Sequence, residues 1–208
     1  MRLKKLKAVS QVKFMTLLSL KNSSKLFYKF NLNRSNQFDH EFYAAANHVS
    51  QTWADIEYLH YTFHFLFSKL GNELSNDDFN ILFESTLVVA KDFYIHLDII
   101  RVLFRDKLLT GVDPALLQVH TRYAHIWNKI RDARNLTIIH KEKPNFYEER
   151  GSITSTDPEA ILIMEGSYID KDGRDQELAL EPVKDITEIH NFLNQFQECF
   201  NNLYPKDY

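Results

Sequence analysis

Residues 38–70 read FDHEFYAAANHVSQTWADIEYLHYTFHFLFSKL, and this stretch decides the fold. Apolar side chains recur in it every three or four residues, which predicts one long amphipathic helix with a buried stripe. Gly71–Asn72 marks the end of this helix, because both residues tolerate the left-handed backbone found at helix C-termini. The stripe consists of Phe42, Ala46, Val49, Trp53, Ile56, Phe63, Leu66 and Leu70.

Three more helices are predicted from their start signals and apolar spacing. The second helix is predicted to begin at Ser75–Asp78, which resembles a capping box, and to end near Leu109. Asp113 and Pro114 begin the third helix as N-cap and first helical residue. Its stripe continues through residues 116–136 toward a stop near Pro144. A second capping-box candidate at residues 185–188 begins the last helix, whose stripe ends before Pro205.

The segment between the third and fourth helices has a different pattern. Residues 153–155 and 160–169 are rich in β-branched and apolar side chains, and Asp170–Gly173 is a turn signal. A β-hairpin at about residues 152–181 is therefore predicted. The fold class is mainly α, an antiparallel bundle of four main helices with this hairpin inserted between the third and fourth. The predicted domain covers residues 38–208, and residues 1–37 form a basic N-terminal extension.

Composition narrows the class of protein. The chain has 208 residues, 44% of them hydrophobic and 25% charged, which is typical of one globular domain. Cys199 is its single cysteine, so an internal disulfide and a cysteine-based zinc site are excluded. This cysteine content suits a cytoplasmic location. No run of eighteen apolar residues occurs, so no membrane span is predicted.

Charge is distributed unevenly along the chain. Residues 1–38 carry nine basic side chains and no acidic one, whereas the remainder carries sixteen basic and twenty-eight acidic residues. A cationic arm on an acidic body can bind nucleic acid or anionic lipid. The alternatives are a loosely ordered extension and, with less support, a transit peptide, since there are only two arginines and no clean cleavage signal.

The main chemical candidate lies near the end of the third helix, at Arg134, Asn135 and His140. A permanently charged guanidinium and an imidazole can hold a phosphate and move a proton without a metal or cofactor. On an ideal helix, however, positions 134 and 140 are about 240° apart, so they do not share a face. The alternative interpretation makes Arg134 a solvated side chain and His140 a C-terminal cap favoured by the helix dipole.

The segment Ile130-Arg131-Asp132-Ala133-Arg134-Asn135, followed by Ile138-Ile139-His140, resembles the HEPN superfamily. The pattern of that superfamily is an arginine, commonly followed by Asn, Asp or His, and then a histidine after four to six residues. Five residues separate Arg134 from His140, which fits. A motif that begins at Arg131 fits the pattern less well, because eight residues then separate the arginine from His140. The resemblance covers residues 38–208 and leaves the basic N-terminus unexplained.

The resemblance implies a homodimer whose two motifs face each other and which cuts RNA without metal, leaving 2′,3′-cyclic phosphate ends. Arg134 would bind the scissile phosphate, His140 would be the general acid or base, and Asn135 would orient one of them. Arg131, Lys141 and Lys143 crowd the same segment and are predicted to bind RNA. The resemblance also implies a toxin or phage-defence role, with an antitoxin or other regulatory protein as partner. Some HEPN domains are non-catalytic, so a module that binds RNA or a protein is the alternative.

Other motifs carry less chemistry. His60 and His64 are spaced four residues apart, but no third ligand accompanies them, so no metal site is predicted. His120 and His125 are interpreted as partly buried polar residues of a helix. The aromatic residues 58–67 are interpreted as core, with a homodimer interface as the alternative. Glycine-rich phosphate loops and nucleophile elbows do not occur, which leaves kinase and hydrolase functions unsupported.

Overall fold

A computed structural model of the chain confirms the mainly helical class. It describes residues 26–32, 36–70, 75–142, 149–152, 163–169 and 172–205. The predicted stops at Gly71–Asn72 and Pro144 lie outside the described residues. The helices of the described chain are, in order, α1 (Leu26–Lys29), α2 (Asn36–Leu70), α3 (Asn76–Leu103), α4 (Pro114–Arg122), α5 (Ala124–Glu142) and α6 (Pro182–Leu203).

Three strands of the described chain form one antiparallel sheet in the order β1-β2-β3. Gly173, in the connection between β2 and β3, has a φ of +76°, a conformation that favours glycine. Residues 153–155, one of the two β-branched and apolar segments of the predicted hairpin region, lie outside the described residues. The strands are β1 (Glu149–Ser152), β2 (Ile163–Ile169) and β3 (Asp175–Leu180).

Helix α2 packs antiparallel to α3. The rings of His48 and His96 stack at a centroid distance of 4.7 Å, and those of Trp53 and Phe93 lie 5.6 Å apart. Residue numbers therefore rise along α2 as they fall along α3. Each predicted stripe residue from Phe42 to Ile56 is buried, as helical periodicity requires.

The core is centred on Phe104, which is fully buried where α3 passes into a π-helical turn, Phe104–Leu108. Its ring lies 4.9 Å from that of Phe192 in α6 and 6.1 Å from that of Trp127 in α5. Edge-to-face and tilted aromatic contacts of this kind add to the free energy gained by burial. Phe104 thus connects the end of α3 with α5 and α6.

The predicted third helix is in fact two helices. Asp113 caps α4 as predicted, its carboxylate accepting a hydrogen bond from the Ala115 backbone N–H at 2.8 Å. At Tyr123 the regular α-helical hydrogen-bond pattern is interrupted. The backbone N–H of Tyr123 donates a hydrogen bond to the carbonyl of His120, three residues earlier, at 3.1 Å. Helix α5 begins at the next residue. The apolar stripe is continuous across Tyr123, so periodicity could not reveal this break.

The predicted start of the last helix was wrong by one turn. Helix α6 begins at Pro182, with Glu181 as its N-cap residue. Asp185 lies within the first turn and is buried, only 2% exposed. Its carboxylate accepts a hydrogen bond from the backbone N–H of Glu181 at 3.2 Å, so it still contributes to the helix start from inside.

Candidate functional site

Arg134 lies on α5 where this helix packs against α3. Its Nη2 donates a hydrogen bond of 2.7 Å to Oδ1 of Asn135, and its Nε lies 3.5 Å from Oδ2 of Asp98. The contact with Asp98 is an ion pair and not a hydrogen bond. Arg134 Nε has no hydrogen-bond partner among the described residues. The side chain is 40% exposed, so this positioned guanidinium also reaches solvent.

Asp98 holds two arginines at once. Its residue is only 4% exposed, and its Oδ1 accepts a hydrogen bond of 2.6 Å from Nε of Arg101, one helical turn further along α3. A buried carboxylate is costly unless it is paired, so these cations stabilise it. Two guanidinium groups facing one carboxylate leave a surplus positive charge, which favours an anion beside Arg134.

Asp98 and Arg101 were not predicted from the sequence. Both lie on α3, far from Arg134 in the sequence, and only the antiparallel packing of α3 and α5 brings them together. One local signal existed, because Asp98 stands between Leu97 and Ile100, which are fully buried. An acid at a core position of a helix indicates a buried pair.

His140 belongs to the same uninterrupted helix as Arg134, since α5 runs from Ala124 to Glu142. Positions 134 and 140 therefore remain about 240° apart around the helix and about 9 Å apart along it. For His140 and Lys141 only the backbone is described, and Lys143 lies outside the described residues. The structure thus brings Arg134 and Asn135 together, and it does not put position 140 on their face of the helix.

Arg131, one turn before Arg134, is paired locally. Its Nε lies 3.0 Å from Oδ1 of Asp132, and its side chain is 47% exposed. An exposed pair of this kind is weak and is readily exchanged for a bound anion. Arg131 and Arg134 are neighbours on the helix surface, because they are three residues apart.

A second polar cluster, made of Tyr94, Lys129, Glu181 and Asp185, ties α3 and α5 to the start of α6. The Tyr94 hydroxyl donates to Oδ2 of Asp185, and Lys129 Nζ donates to Oδ1 at 2.8 Å and to Glu181 at 3.2 Å. Burial raises the pKa of both Tyr94 and Asp185 above their usual values. Because both Asp185 oxygens are occupied by partners within the chain, this cluster stabilises the fold and leaves no position for a ligand.

The described histidines fill structural roles. His120 is half-buried and stacks on Trp127 at a centroid distance of 5.7 Å, and burial, followed by the nearby Arg101, lowers its pKa. His125 is exposed and pairs with Glu188. His120 thus matches its interpretation as a partly buried polar residue, whereas for His125 that interpretation was wrong, because His125 is exposed.

The described side chains include no group of three or more His, Cys, Asp or Glu residues that could hold a metal ion. The side chains of His60 and His64 lie outside the described ones. Of the aromatic residues at the end of α2, Tyr58 is 68% exposed, so its interpretation as core was wrong. The side chains of Tyr61 and of residues 63–67 are not described.

No family model, no curated protein and no solved structure matches this chain. Within the described ranges, no helix combines the length and the apolar composition needed to cross a membrane.

Proposed function

We propose that this chain is a HEPN-type, metal-independent endoribonuclease of the cytoplasm, acting as a toxin or phage-defence effector. One observation carries the proposal: the Arg134 guanidinium is held between the Asn135 amide and the buried Asp98 carboxylate, yet stays 40% exposed. A cation held in place before substrate arrives stabilises developing charge better than a mobile one. The proposed scaffold is a four-helix antiparallel bundle with the β2–β3 hairpin inserted before α6.

In the proposed mechanism, Arg134 binds the scissile phosphate and His140 takes the proton of the neighbouring ribose 2′-hydroxyl. The 2′-oxygen attacks the phosphorus, the bond to the 5′-oxygen breaks, and a proton is returned to that leaving oxygen. The products are a 2′,3′-cyclic phosphate and a 5′-hydroxyl. Asn135 orients Arg134, while Arg131, Lys141 and Lys143 bind flanking phosphates of the RNA.

The proposed active unit is a homodimer. Because α5 is continuous, residues 134 and 140 of one chain lie on different faces of the helix. A second copy that packs against α5 can supply the missing partner, so that Arg134 of one protomer works with His140 of the other. An antitoxin or regulatory protein would control such a site by covering it.

The alternative is a non-catalytic HEPN-like module that binds RNA or a protein. It is favoured by the same contacts, because Asp98 and Asn135 offset part of the Arg134 charge within the chain. In this alternative, the two arginines beside Asp98 stabilise the helix packing and bind the partner, and His140 takes no part in a reaction.

The test is RNA cleavage in the presence of EDTA. The wild type is compared with Arg134→Ala, with His140→Ala and with His125→Ala, which removes an exposed imidazole from the same helix. The proposal expects cleavage by the wild type and His125→Ala, and its loss in the other two variants. Equal mixtures of Arg134→Ala and His140→Ala chains should regain activity if the site is shared between protomers. RNA binding without cleavage by any of the proteins supports the alternative instead.

A further inference from the structure

One face of α3 carries exposed apolar and exposed acidic side chains at six of its described positions. Its apolar members Ile81, Val88 and Ile99 are 63%, 59% and 43% exposed. On an ideal helix these three positions lie within about 20° of one line, so they form a single stripe. Three exposed acids, Asp77, Glu84 and Asp92, flank that line. We call these six residues the α3 outer stripe.

The charge of the stripe limits what can cover it. Between Asp77 and Ile99 the sequence of α3 contains one basic residue, Lys91, which lies about 70° from the central line of the stripe. A second copy docked stripe to stripe would bring carboxylates together, and RNA or an anionic membrane would be repelled in the same way. Exposed apolar side chains rimmed by polar ones mark interaction sites. The occupant that fits is therefore a basic segment with regularly placed apolar residues.

The chain itself contains such a segment. Residues 1–25, which lie outside the described residues, carry seven basic side chains and no acid, interleaved with leucines and valines. Lys5, Lys13 and Lys21 are spaced eight residues apart, close to the seven- and eight-residue spacing of Asp77, Glu84 and Asp92. We propose that residues 1–25 pack along the α3 outer stripe of their own chain.

The start of the described chain supports this path. Helix α1 begins at Leu26, and its Phe27 ring lies 6.3 Å from that of Phe42. Phe30 lies 5.8 Å from Phe104, which directly follows α3. Residue 26 is therefore anchored near the C-terminal end of α3. The stripe spans about 33 Å of helix, and twenty-five residues reach that far in helical or extended form.

The proposal is independent of the nuclease site. It assigns the basic residues of the N-terminus to a contact within the chain, so they need not serve RNA or lipid binding. Occupation of the stripe also covers three exposed apolar side chains that would otherwise promote association between chains.

Zero-length carbodiimide cross-linking of the full chain tests the contact, because it joins only lysines and carboxylates already in ion-pair contact. We expect Lys21 to join Asp92 and Lys13 to join Glu84, in peptides that isotope mixing identifies as coming from one chain. Raised salt should lower their yield. Cross-links of equal yield to exposed acids elsewhere, such as Glu177 or Glu198, overturn the proposal. So do stripe cross-links that form only between two chains.

A substitution gives a second readout. Val88→Arg places a cation in the middle of the stripe, and Leu117→Arg is the matched control because it alters a 50% exposed apolar residue of α4. Both positions are exposed, so folding should be retained. We expect chymotrypsin to cut after Phe14 about tenfold faster in Val88→Arg, and at the wild-type rate in Leu117→Arg. Equal cleavage of all three proteins overturns the proposal.

Discussion

The guanidinium of Arg134 on α5 lies 3.5 Å, from Nε to Oδ2, from the buried carboxylate of Asp98 on α3. This ion pair joins two helices at the point where the candidate site reaches solvent. Because Asp98 also binds Arg101, its single negative charge is shared between two arginines. Asp98 is therefore a positioning residue for Arg134. The packing of α3 against α5 keeps the Asp98 carboxylate beside the Arg134 guanidinium.

Asp98→Asn should lower the free energy of unfolding by about 1–3 kcal/mol, the usual cost of losing hydrogen bonds to a charged group. The amide keeps the shape but removes the charge that pairs two arginines. Solvent around the 40% exposed Arg134 compensates part of the loss. Urea denaturation measures the change. The control is Asp106→Asn, whose pair with Arg105 is exposed, and there a change within about 0.5 kcal/mol is expected. Similar losses in both variants would contradict the role given to Asp98.

Lys129→Met should be more damaging, by about 3 kcal/mol, because it leaves the Asp185 carboxylate buried without its cation. Lys184→Met is a close control, since Lys184 binds the same Glu181 at 3.3 Å but its side chain is 62% exposed. That variant should change the free energy of unfolding by less than about 0.5 kcal/mol. Denaturant midpoints of the two variants at neutral pH decide the matter. If both lose equally, Glu181 and not Asp185 is the group that Lys129 stabilises.

Stability should fall as the pH drops below about 6.5. Burial lowers the pKa of His96, His120 and His190 in the folded chain from the usual 6.5. Between pH 6.5 and these lower pKa values, the unfolded chain therefore binds protons that the folded chain does not bind. This difference favours the unfolded state as the pH falls. His120→Phe keeps a ring beside Trp127 and removes one such group, so its urea midpoint should depend less on pH. An equal slope in His120→Phe would show that His120 titrates normally.

The long elements of the fold could be predicted because their signals are local. The stripe of α2 and the Asp113 cap of α4 each depend on residues within a few turns. The break at Tyr123 could not be predicted, since the apolar positions before and after it keep one period. Its cause is tertiary. Leu116 and Val119 belong to α4, which packs on α6, whereas α5 packs on α3.

The site was predictable only in part, for a similar reason. Arg134 and Asn135 are neighbours in sequence, and the Asn135 amide accepts a hydrogen bond from Arg134. Asp98 comes from another helix, and no spacing rule connects it with residue 134. For Asp185 the sequence predicted a local role, that of a helix cap before Ile186 and Thr187. In the structure its position is instead determined by burial and by the hydrogen bond from Lys129.

Arg134→Lys separates charge from geometry at the candidate site. Lysine keeps the positive charge but lacks the planar fork that holds the Asn135 amide while lying beside Asp98. If the proposed nuclease is right, cleavage of RNA in EDTA should fall by about a hundredfold, as when one preorganised donor is lost from an active site. Arg131→Lys, one turn away with a 47% exposed side chain, should retain most of the activity. The urea midpoint of each variant shows whether the fold is intact. Equal activity of the two lysine variants would mean that Arg134 acts only as a point charge, and the proposed role of Asn135 would then be wrong.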